Sequence, residues 1–129
     1  MTKITSPRDI FLLTKEIHKQ SKELLIIFYL NKIGSILEKK TIQPKIKEIK
    51  FSHADIFSPT LQNKASFIIL AHNHPSGNLF PSPSDKKTTK NLVNAGKILG
   101  ITVIDHVIVS HQGYYSILQK SKASPPLAH

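Results

Sequence analysis

Cysteine is absent from the 129 residues, which excludes disulfides, thiolate zinc sites of the finger type and a cysteine nucleophile together. Any metal must then be held by histidine and carboxylate. Long apolar runs are missing as well. The longest, Leu24 to Leu30, falls far short of the ~20 residues that span a bilayer, and the amino terminus through Asp9 is polar where a signal peptide would be apolar. The expectation is a soluble, cytoplasmic chain with no membrane contact. Arginine is nearly missing, with Arg8 alone beside seventeen lysines. Base reading and bidentate phosphate clamping favour the planar guanidinium, so the formal charge of +10 is first a solvated lysine surface. Such a field would still attract nucleic acid weakly, without sequence preference, at low salt. The charge is spread along the chain, with 11 basic and 5 acidic side chains in residues 1–50 and 7 and 3 in the remainder.

The composition, 40% apolar and 20% charged, suits one globular domain over residues 1–129, with a core from about 6 to 118 and a flexible tail from 119 to 129. No internal repeat or low-complexity tract interrupts it. Ser6-Pro7-Arg8-Asp9 opens a helix, with a serine cap, a first-turn proline and a carboxylate, and Ile10, Leu13 and Ile17 carry it to about Lys22. Leu24–Leu30 and Ser35–Ile42 form a hairpin about Gly34, the first strand apolar on both faces. Gln43 to Lys50 is a basic connection. Ser52-His53-Ala54-Asp55 caps a short helix to about Asn63, kinked at Pro59. Ser66–Ala71 is a buried strand, and Ser82-Pro83-Ser84-Asp85 opens a helix striped by Leu92, Ala95 and Leu99 that stops at Gly100. Ile101–Val109 and Tyr114–Leu118 complete five strands mixed with three helices, an α/β domain. Five phenylalanines, at 11, 28, 51, 57 and 67, sit in apolar patterns that suit a core, while His18, His53, His111 and His129 suit the surface.

The informative place is His72-Asn73-His74-Pro75-Ser76-Gly77, where a buried strand runs into a loop rich in Pro, Ser, Gly and Asn. Two histidines one residue apart on extended backbone point to the same side. Asp85, at the start of the following helix, can return a carboxylate over the strand end. Each residue alone has an ordinary explanation, Asp85 above all as the carboxylate of a capping box. Two histidines and one carboxylate converging at a strand end make a three-ligand set for catalytic zinc, with the fourth position left for water. Asp105-His106 either orients a ligand from behind or is a polar pair satisfied within the sheet.

His72-x-His74, seven residues, Ser82, two residues and Asp85 match the JAMM motif of MPN (JAB) domain metalloproteins. The fuller string AHNHPSGN…PSPSD, with LVNAGKILGITVIDHVIV after it and GYYS beyond, resembles the MPN domain of the RadC-like DNA repair protein family from about Ser6 to Leu118. The resemblance implies a single mixed-sheet, cytidine-deaminase-like α/β domain flanked by helices. It implies zinc held by His72, His74 and Asp85, with Ser82 beside the water, in a metalloprotease-like hydrolase acting on a peptide or isopeptide bond of a protein substrate. The motif also needs a glutamate on an early strand as acid/base. Glu38 is the candidate, and a solvated strand carboxylate beside Lys39 and Lys40 is its competing role. The helix-hairpin-helix region usual in the family is absent from these 129 residues. The rival function is an accessory module in DNA repair or mobile-element biology, or a silent scaffold, because family does not fix function.

Overall fold

The computed structural model describes residues 2–43 and 52–123. Helix α1 (Pro7–Leu13) leads through a single 3-10 turn (Lys15–Ile17) to β1 (Leu25–Leu30) and β2 (Ile36–Ile42). Then come α2 (His53–Phe57), α3 (Thr60–Asn63), β3 (Phe67–Asn73), α4 (Pro83–Leu99), β4 (Thr102–Ser110), β5 (Gly113–Ser116) and β6 (Ser121–Ala123). The strands form one mixed sheet in the order β2-β1-β3-β4-β5-β6. Among the described residues only β3 and β4 run parallel, and α4 is the crossover that a parallel pair requires.

All six residues of β1 are buried, because helices cover both faces of the sheet. Alternation along the strand divides the core in two. Ile26, Phe28 and Leu30 pack with Ile10, Phe11 and Ile17 under α1, and with Val107 and Val109. Leu25, Ile27 and Tyr29 pack on the other side with Ile56 and Phe57 of α2 and Leu92 of α4. Tyr29 donates its hydroxyl to the Ile56 carbonyl at 2.5 Å, which satisfies the one polar atom of a fully buried ring.

Four expectations change. The first helix stops at Leu13 instead of Lys22, since the Thr14 hydroxyl donates to the Ile10 carbonyl at 2.8 Å and Thr14 itself leaves helical geometry at φ −124°. The tail expected to fray from 119 instead adds β6, paired antiparallel with β5. The sheet therefore has six strands where five were expected. His18, expected on the surface, is buried, stacked on Phe11 with ring centroids 4.3 Å apart. The helix expected to kink at Pro59 is divided there into α2 and α3. Beyond Gln43 the basic connection to Lys50, together with Phe51 and residues 124–129, lies outside the described residues. Among the described residues, no helix is long and apolar enough to cross a membrane.

The return from α4 into β4 is tight. Gly96 lies beneath the Ile101 backbone, and a Cβ at this position would sit 2.4 Å from the Ile101 carbonyl oxygen. Alanine is the better helix former by about 1 kcal/mol, yet a backbone neighbour cannot rotate away. Gly96→Ala is expected to lower stability by about 1–3 kcal/mol, the usual range for overpacking. Urea unfolding measures it, and a stabilised variant would show that the return is looser than this.

Candidate metal centre

β3 ends in the informative motif, and its alternation decides where each side chain goes. His72 and His74 face the α4 side, while Asn73 between them faces the opposite layer. Asp85 is brought over the strand end by the start of α4. The Ser82 hydroxyl accepts the Asp85 N–H at 3.0 Å, and the Ser82 N–H donates to Asp85 Oδ2 at 2.8 Å. This reciprocal capping box satisfies two helix-terminal donors and fixes the carboxylate. Asp85 Oδ2 lies 3.1 Å from His74 Nε2, and Oδ1 lies 3.5 Å from His72 Nε2. One ligand atom from each of the three residues can be chosen so that all lie within 4.8 Å of one another.

The carboxylate expected to serve this cluster from β2 is elsewhere. Glu38 is exposed, accepts a hydrogen bond from Asn63 Nδ2 at 3.1 Å and pairs across the sheet with Tyr29. Leu25, by contrast, is the β1 residue opposite His72. Four steps of ~3.3 Å along the strand separate Leu25 from Tyr29, so Glu38 is not brought to the site. Glu23 is. Its Oε1 lies 3.6 Å from His72 Nε2, and its side chain is 48% exposed.

Asn73 explains how a residue outside the strand is held there. Its Oδ1 accepts the Leu24 N–H at 2.6 Å, and its Nδ2 donates to the Lys22 carbonyl at 2.9 Å. The two bonds bracket Glu23. Neither residue stood out in the sequence, though the asparagine between the histidines, buried on an apolar strand, was the available signal: a buried amide needs partners for both its ends.

Electrostatics follow from this packing. Burial would raise Asp85, but the hydrogen bond to His74, the His72 charge and the Ser82 N–H hold it well below the usual carboxylate range. Burial works against a charged His74. Its bonds to Asp85 and to the Asn78 carbonyl, with the charges of Asp85 and Glu23, nevertheless raise it above its ordinary value. Burial drives His72 well below, and His106 adds to the effect. Burial also pushes His106 down to about 4. Glu23 is raised, mainly by burial and then by the charge of Asp85 against the opposing His74.

The donor chemistry suits a metal ion. His72 Nε2 is buried and has no hydrogen-bond partner among the described residues, and a buried polar atom left unsatisfied costs stability unless something else binds it. His74 donates Nδ1–H to the Asn78 carbonyl at 2.7 Å, since a carbonyl can only accept. This leaves its Nε2 for the cluster. Two imidazole nitrogens and one carboxylate oxygen then face one point.

Comparison with known proteins agrees. A family model described as RadC-like JAB domain matches residues 4–123. The UPF0758 protein of Caldanaerobacter subterraneus subsp. tengcongensis is 40% identical over 119 residues, 91% of this chain and 51% of the relative. That of Alkaliphilus metalliredigens is 39% identical over 121 residues, with 92% and 52% covered. That of Methanosarcina mazei is 34% identical over 117 residues, with 89% and 51% covered. The chain spans about half the length of these curated relatives. The matched span contains the whole cluster and all six strands of the mixed sheet, and on that match the chain belongs to the RadC-like JAB domain family.

Proposed function

We propose that the chain is a zinc-dependent hydrolase domain cleaving a peptide or isopeptide bond, with His72, His74 and Asp85 holding the metal. The observation that carries this reading is the unpartnered, buried Nε2 of His72, set among His74, Asp85 and Glu23. Bound zinc would supply Lewis acidity, polarising the scissile carbonyl and making a water nucleophilic near neutral pH. Glu23 is the acid/base in this reading. It is half-exposed at the edge of the cluster and raised above its ordinary value by burial, so it can take the proton from the attacking water and return it to the leaving amine. Ser82 accepts the Asp85 N–H, and that bond leaves its own proton free to donate to the carbonyl oxygen of a substrate.

The expected stoichiometry is about one zinc per chain, read by elemental analysis of protein purified without chelator. Single alanine substitutions at His72, His74 or Asp85 are expected to remove most of it, and His53→Ala or His111→Ala none. Glu23→Gln is expected to keep the metal and abolish hydrolysis across a panel of peptide and isopeptide substrates, while Glu38→Gln keeps both. A chain that takes up no zinc, or a Glu23→Gln variant as active as the parent, overturns the reading.

A second reading has its own observation. Lys86, Lys87, Lys90 and Lys97 are exposed along α4, whose single acid is Asp85. The accessory-module role predicts nucleic-acid binding that is weak, sequence-independent and steeply lost with salt, because lysines act on phosphate by counterion release. Titration at low and physiological salt measures it.

Ligation needs neutral imidazoles, and keeping them neutral has a consequence in acid. His106 and His72 lie below their ordinary values in the folded chain, so the unfolded chain binds more protons than the folded one between about pH 6.5 and 4, and stability falls as pH falls through that window. His18, lowered, acts with them, and His74, Glu23 and Asp105, raised, act in the opposite direction, but the two fully buried rings carry the large shifts and set the sign. The urea midpoint of chelator-treated protein is expected to be lower at pH 5 than at pH 7. An equal or higher midpoint at pH 5 would show that these rings are not held neutral.

A further inference from the structure

Behind His72 runs a buried chain of hydrogen bonds that the cluster itself does not explain. The Thr89 hydroxyl donates to the Asp85 carbonyl at 2.8 Å. The same hydroxyl lies 2.7 Å from His106 Nδ1, and His106 Nε2 lies 2.6 Å from His72 Nδ1. Thr89, His106 and His72 are all nearly inaccessible, at 1%, 3% and 1% exposure.

Counting protons fixes the direction of every bond. A carbonyl only accepts, so the single hydroxyl proton of Thr89 belongs to Asp85. The hydroxyl oxygen is then the acceptor toward His106, whose Nδ1 must carry a proton. No carboxylate touches either ring nitrogen of His106, since Thr89 and His72 occupy them both, and a buried imidazole without a counter-charge stays neutral. Its Nε2 therefore offers a lone pair and accepts from His72 Nδ1–H. His72 is left with a bare Nε2, the unpartnered atom of the site.

We propose that Thr89 and His106 are positioning residues that lock His72 in its Nδ1–H tautomer, so that the Nε2 lone pair faces His74 and Asp85 before any metal arrives. The lock starts on the backbone of Asp85 and ends on the ring of His72, which ties two of the three ligands to each other through α4 and β4. The sheet is built to allow it. In the β3–β4 pairing, Ile68 faces Val103 but Ile69 faces Asp105, so Ile104 is an extra residue on β4. Strict alternation from Val103, which packs with Ile68 and Leu70, would turn position 106 toward α1. The bulge shifts the parity, and His106 meets His72 on the α4 side. At His74 the proton on Nδ1 is fixed by a simpler device, the Asn78 carbonyl.

The purpose of the lock rests on the metal reading above, while the tautomer is a property of the metal-free chain. Nitrogen-15 NMR of the metal-free, histidine-labelled protein at neutral pH reads it directly. The expected result is a protonated Nδ1 and a bare Nε2 at His72. Thr89→Val, close in shape, removes the hydroxyl and frees the His106 ring to reverse. It is expected to populate the Nε2–H form of His72 and to weaken zinc binding about 10–100-fold in chelator competition, with Thr89→Ser restoring both. Nε2–H at His72 in the parent, or a Thr89→Val variant with unchanged tautomer and affinity, overturns the proposal. The expected tautomer in a parent that binds no zinc supports the lock and sinks the metal reading instead. If Thr89→Val fails to fold, the parent spectrum alone decides.

Discussion

The antiparallel pairing of β1 with β3 sets almost everything at the cluster. Its register places Leu25 against His72, so the residues just before β1 lie alongside the strand end that carries both histidines. Asn73 then uses both ends of its amide to hold that segment. One strand end thus serves two faces at once, presenting two imidazoles to the α4 side and clamping a neighbouring loop on the other. Burial of β1 on both faces makes the register expensive to change, because a slip of one residue would exchange every side chain between the two halves of the core.

What could be read from the sequence follows the range of the interactions. The serine caps at Ser6, Ser52 and Ser82 and the apolar runs of β1 and β3 are local signals, and they place α1, α2, α4 and those two strands. His72, His74 and Asp85 were legible for the same reason, since period-two alternation and a helix cap suffice to bring them together. Glu23 was not. It lies in the polar stretch Ser21-Lys22-Glu23, and only the β1–β3 register and the Asn73 amide bring it to His72. The early end of α1 depends on Thr14 turning its hydroxyl back onto Ile10, a choice that apolar spacing does not encode. β6 joins the sheet by backbone pairing alone, and Ser121-Lys122-Ala123 carries no alternation to announce it.

The cluster also sits oddly within a chain of charge +10. Two carboxylates, Asp85 and Glu23, face the two histidines at a strand end, and the exposed lysines of α4 lie along the helix that begins there. Lysines in open solvent act over about one Debye length, near 8–10 Å at ordinary salt, whereas partly buried groups in contact are screened much less. The short distances at the cluster therefore dominate its electrostatics, and the basic exterior acts mainly on the field farther out.

The extra residue in β4 has an implication for how this domain can vary. Ile104 is 39% exposed and has no residue opposite it on β3, so it can be replaced, and even its loss would leave Val103 and Asp105 in plain alternation with His106 still behind His72. The hazard lies the other way. Were Ile104 drawn into the ladder as a paired residue, every side chain from Asp105 onward would change face, and the Asp105 carboxylate would stand where the His106 imidazole does. The site therefore depends on the bulge staying a bulge, which is a constraint on pairing and not on the identity of the extra residue.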